Sequence, residues 1–119
     1  MKKIIKKADI LIEALPYIKE FAGKTIVVKC GGSHLENSTA LDGIIQDLVF
    51  LSAVGLRPIL LHGGGPIISK RLSGTGASPR FIDGLRVTDR KTISVVNAAL
   101  NSINNDLVNR VRKLGGCAV

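Results

Sequence analysis

The chain is poor in aromatic residues, with one tyrosine, three phenylalanines and no tryptophan among its 119 residues. Aliphatic side chains must therefore build any core, and a row of rings for stacking nucleic-acid bases is excluded. Cysteine is scarce too. Cys30 and Cys117 are the only two, too few for a disulfide framework and without zinc-ligand spacing. They fit a reducing compartment, so a cytoplasmic protein is expected. Long hydrophobic runs are missing, and no stretch approaches the ~18 apolar residues of a membrane span. The basic start MKKIIKK resembles that of a signal peptide. Asp9 and Glu13 interrupt any apolar region, however, and no small-residue cleavage site follows, so no targeting segment is expected. Acidic residues are in deficit, at 9 against 17 Lys+Arg, for a net charge of +8. Such a balance suits nucleic acid, anionic lipid or an anionic small ligand. Six of the cations precede residue 25 and the rest are scattered. With no basic face on one helix, neither nucleic acid nor a membrane is the expected partner.

What remains is a normal apolar share of 45%, which excludes wholesale disorder and suits one small domain. Ile4, Ala8, Leu11, Leu15, Ile18 and Ala22 recur at spacings of four and three, the period of an amphipathic helix. Pro16 lacks an N–H and restricts Leu15, which predicts a kink or two short helices. The stripe is long for an appendage that packs only on its own domain, and suggests a face for another subunit. TIVVKC at 25–30 reads as a buried strand broken by Gly31-Gly32, with a polar loop after it. Asn37 or Ser38 can cap a helix carrying Leu41, Ile44, Ile45, Leu48, Ala53 and Val54, which Gly55 ends. A second buried strand opens at Arg57-Pro58 and runs to His62. Gly63-Gly64-Gly65 breaks it, and Pro66 suits the first turn of a helix reaching about Leu72. Asp83-Gly84 between two short apolar runs predicts a hairpin. Thr88 or Asp89 caps a long helix striped by Ile93, Val96, Leu100, Ile103, Leu107, Val111 and Leu114. Gly115-Gly116 ends it, and Cys117-Ala118-Val119 reads as the start of a third buried strand. Buried strands alternating with amphipathic helices predict an α/β fold, with a parallel sheet covered on both faces.

Both strands end in glycine turns, Lys29-Cys30-Gly31-Gly32 and His62-Gly63-Gly64-Gly65-Pro66. Open parallel sheets bind ligands beyond the carboxyl ends of their strands. Glycine there lets backbone N–H groups approach an anion, and the helix opening at Pro66 adds its dipole. Lys29, in a strand that reads as buried, needs an anion to offset its desolvation. Together these point to a phosphate or carboxylate site. A bare turn is the alternative for a single Gly-Gly. An esterase oxyanion loop lacks its Gly-x-Ser-x-Gly nucleophile, and neither the P-loop nor the dinucleotide glycine pattern occurs. Arg86, just past the hairpin turn, suits bidentate carboxylate recognition, against a solvated hairpin arginine. His62 reads as a hydrogen-bonded structural residue, His34 as a loop residue and Cys30 as a space-filler. No acid/base dyad and no acidic metal cluster stand out.

The segments Ala14-Leu15-Pro16-Tyr17-Ile18, Gly23-Lys24-Thr25, Val28-Lys29-Cys30-Gly31-Gly32, His62-Gly63-Gly64-Gly65-Pro66 and Gly84-Leu85-Arg86-Val87-Thr88-Asp89 closely resemble the amino-acid kinase family. Within it they resemble the acetylglutamate kinase branch, along essentially the whole chain. The resemblance implies a three-layer sandwich with a mainly parallel sheet, truncated after its N-terminal half. It divides the chain into a kinked oligomerisation helix over 1–24 and an incomplete N-terminal lobe over 25–119. It implies ATP-dependent phosphorylation of the side-chain carboxylate of N-acetyl-L-glutamate in arginine synthesis. Lys29 would stabilise the transferring phosphoryl group. Gly31, Gly32 and Gly63 would lie along the phosphates. Gly64, Gly65 and Arg86 would hold the substrate. ATP with Mg²⁺ would be bound mainly by a second half that this chain lacks, and no metal ligand is expected here. The resemblance also implies a homo-oligomer, a dimer or a hexamer joined by the first helix, and arginine feedback inhibition. Ser33-His34 departs from the Asn-Ala pair common after the glycines. Two other readings stay open: a non-catalytic binding or oligomerisation fragment, and the kinase-like domain of an acetylglutamate synthase.

Overall fold

The computed structural model describes residues 2–76 and 78–119, with side-chain surroundings from residue 5 onward. Helix α1 spans Lys2–Phe21. It is one continuous helix, not the kinked or split pair expected from Pro16, which lies inside it. Proline removes one intrahelical bond but need not end the helix. Strong helix formers on both sides, Ala14, Leu15, Lys19 and Glu20, sustain it here. Of the expected stripe, Ile4 lies outside the described side chains. Leu11 and Leu15 remain exposed, so no part of the described chain covers them.

Strand β1 (Thr25–Cys30) and strand β2 (Arg57–His62) pair in parallel, with Lys29 opposite Leu61 and Cys30 opposite His62. Both spans match the expectation from sequence, but their burial does not. Exposure alternates along each strand, because helices cover one face only. On that face Val28 and Leu60 pack against Leu41, Ile45 and Leu48 of helix α3 (Ser38–Ala53) and against Ile103 and Leu107 of helix α5 (Ile93–Lys113). On the other face Val27, Ile59 and Leu61 are each more than half exposed.

The expected polar loop after Gly31 contains a short helix, α2 (Gly32–Glu36). The N–H of His34 donates to Gly31 O at 3.1 Å, and Leu35 reaches the core. An apolar residue amid polar neighbours supplies that anchor. Asn37 is the cap of α3, its Oδ1 accepting from Ala40 N at 3.1 Å. Helix α4 (Gly65–Gly74) carries Pro66 in its first turn. It buries Ile68 and Leu72 against Ala99 of α5. Strands β3 (Phe81–Ile82) and β4 (Leu85–Arg86) form the expected hairpin. Asp83 and Gly84 both take positive φ, 50° and 78°, as a primed turn requires.

Helix α5 ends at Gly115 with φ 80°, and Gly116 N donates to Val111 O at 3.0 Å, a Schellman arrangement. The expected third strand is not formed. Cys117–Val119 has no ladder partner among the described residues, and an extended segment without one gains nothing from strand geometry. Arg112 Nη2 donates to Ala118 O at 2.9 Å instead, and the segment lines a groove of about 440 Å³ beside β2.

Candidate functional site

Parallel pairing places the two glycine turns side by side. The N–H of Gly63 donates to Cys30 O at 3.3 Å, fastening one turn to the other. At Gly32 an added Cβ would lie 2.8 Å from Pro66 Cδ. The close approach of the turns therefore requires glycine there. Gly64 is buried, and a Cβ on it would meet Ile103 Cδ1 at 2.9 Å and Leu100 Cδ2 at 3.1 Å. Its lack of a side chain lets α5 pack against the turn. Gly65, Gly63 and Gly31 differ. A Cβ at Gly65 or Gly63 would meet nothing within 4 Å, and one at Gly31 only His34 Nδ1 at 3.7 Å. Packing does not explain glycine at these three positions.

The backbone N–H groups of Gly31, Gly32, Gly64 and Gly65 find no protein acceptor among the described residues. Gly64 and Gly65 also stand at the N-terminus of α4, where no side chain caps the helix. Free amides at such an end attract an anion. Lys29 sits one position before Cys30, on the open face of the sheet, and is exposed. The expectation that burial forces it to find an anion is corrected on this point. Its strand has one open face, so water solvates the ammonium. It makes no ion pair among the described residues.

Arg86 belongs to the same place. From β4 it reaches α4, and its Nη2 donates to Ser69 Oγ at 2.7 Å and to Gly65 O at 3.0 Å. Phe81, its partner across the hairpin, lies under the guanidinium at 4.7 Å from the ring centroid, a cation–π arrangement. Nη1 is buried without a hydrogen-bond partner. A buried unsatisfied donor is costly, and a ligand oxygen would satisfy it. With Nη2 occupied by two protein acceptors, Nη1 and the Nε–H are left for a ligand, and Nη1 is the buried, unpartnered one. Ser69 and Phe81 were not legible as site residues. A serine inside an amphipathic helix and a phenylalanine in a hairpin carry no signal by themselves.

The remaining candidates stand aside from this cluster. His62 Nδ1 lies 3.0 Å from Gly63 O, a structural bond that fixes the turn. His34 lies in α2, near Gly31. Cys30 is 3% exposed, its Sγ contacts Gly31 O at 3.8 Å, and burial pushes the thiol pKa up, so it fills space. Among the described residues no cluster of His, Cys, Asp or Glu could hold a metal ion, and no helix is long and apolar enough to cross a membrane.

Known proteins resemble this chain over nearly its whole length. Acetylglutamate kinase of Nostoc punctiforme is 51% identical over 114 residues, covering 95% of this chain and 38% of the relative. That of Heliobacterium modesticaldum is 44% identical over 120 residues, covering all of this chain and 41% of the relative. The chain thus spans about two-fifths of the length of the curated relatives it matches. Among solved structures, N-acetylglutamate synthase of Neisseria gonorrhoeae, complexed with coenzyme A and N-acetyl-glutamate, superposes with a TM-score of 0.71 at 29% identity. It covers 85% of this chain and 24% of the synthase. A family profile, amino acid kinase family, matches residues 24–117, and the chain belongs to that family.

Proposed function

We propose that this chain is the N-terminal, substrate-binding part of an acetylglutamate kinase of arginine biosynthesis. The reaction would convert N-acetyl-L-glutamate and ATP to N-acetyl-L-glutamyl 5-phosphate and ADP in the cytoplasm. The observation that carries the reading is the convergence of Arg86, with its unpartnered Nη1, on the free amides of the Gly64-Gly65 turn. A dicarboxylate substrate suits this arrangement. One carboxylate meets Arg86, and the other carboxylate and the incoming phosphate lie along the amides.

ATP supplies the phosphoryl group. An oxygen of the side-chain carboxylate attacks the γ-phosphorus as the bond to the bridging oxygen breaks, so no proton need be moved. Positioning and charge neutralisation then carry the catalysis. Lys29 offsets the charge on the transferring group. Gly31 and Gly32 offer amides beside it, while Gly63 fastens the two turns. The residues described here do not fit Mg²⁺, and no step is assigned to it in this chain. The exposed apolar side chains of α1 suit a homo-oligomer contact, a dimer or a hexamer, and arginine would act as feedback inhibitor on the whole enzyme.

The test joins this chain to the remainder of the Nostoc punctiforme kinase and measures phosphoryl transfer to N-acetylglutamate. The joined protein should be active, whereas the 119 residues alone should not turn over ATP. Lys29→Ala should lower kcat by about 10²–10³, the scale for losing one electrostatic stabiliser, and leave the melting temperature unchanged. Turnover by the isolated chain, or full-rate activity in the Lys29→Ala variant, would overturn the assignment. The likeness to the Neisseria synthase supports a second reading, the kinase-like domain of an acetylglutamate synthase. An acetyltransferase domain encoded downstream would decide for it.

A further inference from the structure

We infer that Ser69 is the positioning residue for Arg86, holding the guanidinium so that one amine is presented to the substrate. The inference rests on the proposed reading of Arg86 as a carboxylate anchor, and it names what aims that anchor. An arginine on a two-residue hairpin strand has four rotatable side-chain bonds and little around it to fix them. Phe81 supplies a surface beneath the guanidinium plane, but a ring face restricts tilt and not rotation within the plane. Gly65 O accepts from Nη2 at 3.0 Å, and by itself it leaves the group free to pivot about that contact. Ser69 Oγ, at 2.7 Å from the same nitrogen, is the second fixed point.

Two acceptors use both protons of Nη2. Three N–H donors are then left, on Nη1 and Nε, and Nη1 is the one buried without a partner. Ser69 lies one helical turn after Gly65 on α4, so hydroxyl and carbonyl stand on one side of the helix, four residues apart. The turn that offers free amides to an anion therefore also holds the arginine. In return Ser69 leaves its own hydroxyl proton free to seek a further acceptor. Removing the hydroxyl would free one proton of Nη2 and let the plane rotate. Arg86 would then keep its charge and lose its aim.

The test uses the whole 119-residue chain, with two readouts. The first is the nitrogen-15 spectrum of the Arg86 guanidinium at low temperature, assigned by comparison with Arg86→Lys. The wild-type chain should give separate, slowly rotating Nη resonances. Ser69→Ala should average them, and Ser69→Thr, which keeps the hydroxyl, should restore them. The second is calorimetric binding of N-acetylglutamate. Ser69→Ala should weaken it about tenfold, the scale for a hydrogen bond to a charged group. Ser69→Thr should recover most of the loss, and Ser69→Ala should add nothing in an Arg86→Ala background. If Ser69→Ala does not fold, Ser69→Cys replaces it as a near-isosteric variant with a poor acceptor. Averaged Arg86 signals in the wild-type chain, unchanged signals in Ser69→Ala, or an equal loss of binding in the Arg86→Ala background would each overturn the inference. Signals that respond as expected in a chain that binds no N-acetylglutamate would uphold the positioning role and instead sink the proposed function.

Discussion

The glycines of the second turn look alike in sequence and do different work in the fold. A side chain at Gly64 would press on Ile103 and Leu100 of α5 at 2.9 and 3.1 Å, whereas one at Gly65 would meet open space. The first glycine is a packing requirement. The second is free of one, and its amide is unpaired. Gly64→Ala should therefore destabilise the chain by roughly 1–3 kcal/mol through overpacking, a fall of several degrees in melting temperature for a domain of this size. Gly65→Ala should stay within about 0.5 kcal/mol of the wild type, since a Cβ there meets nothing within 4 Å. Thermal denaturation of the two variants checks the contrast, and equal melting temperatures would contradict it. Residue type and spacing made these glycines visible as a turn. They could not tell packing glycines from open ones, because the distinction lies in how closely α5 approaches.

At the scale of the element, a turn closed by reciprocal hydrogen bonds between Asp89 and Thr92 leads into α5, whose N-cap is Thr92, not the expected Thr88 or Asp89, and makes no side-chain capping bond. The carboxylate of Asp89 accepts from Lys91 N at 3.0 Å and Thr92 N at 2.8 Å, while Asp89 N donates to Thr92 Oγ1 at 3.0 Å. Hydrogen bonds from the backbone and hydroxyl of Thr92 hold the Asp89 pKa below the usual carboxylate range. A carboxylate with a depressed native pKa stabilises the fold above its unfolded pKa, and that contribution is lost as pH falls through the native value. The loss therefore lies below about pH 4. Asp89→Ala should melt earlier than the wild type at neutral pH, and the gap should close as the pH drops below about 4. A gap of constant size down to about pH 2, well below the unfolded value and followed by circular dichroism, would rule out the carboxylate as its source.

Elements of this kind were largely legible in advance. Asn37 as a cap, Asp83-Gly84 as a primed turn and both strand spans depend on neighbours within a few residues, and the structure has each of them. Apart from the one at Pro16, which is local, the misreadings depended on distant groups. Helix α1 runs through Pro16 because its flanks sustain it. Helix α2 exists because Leu35 finds the core. Strand geometry at Cys117–Val119 would need a ladder partner that the described residues do not supply. Arg86 could be singled out by type and position, but not its hold on α4 through Ser69, which lies 17 residues back along the chain.

The whole molecule measures 61 × 28 × 27 Å with a radius of gyration of 18.7 Å. A compact chain of this length would have a radius of about 13–14 Å. Helix α1 accounts for the excess, since its 20 residues extend about 30 Å and bury little against the body. The body is itself open on one side. Val27, Ile59 and Leu61 are 65%, 53% and 55% exposed on one sheet face, next to Lys29. A strand pair of this composition is built for cover on both sides, and a contiguous apolar patch in water favours self-association and dye binding. The curated relatives, of which this chain spans about two-fifths, have further chain with which to cover such a face. The isolated 119 residues should therefore bind a hydrophobic fluorescent dye while fully folded, and should associate as concentration rises. Replacing Val27, Ile59 and Leu61 together by threonine puts a β-branched residue at each strand position and exchanges apolar groups for hydroxyls across the patch. That variant should lose the dye signal and stay dispersed, yet melt within a few degrees of the wild type, because these side chains contact little in the folded chain. If the dye signal persists in the triple variant, the patch lies elsewhere, and the side chains of α1 become the source to test.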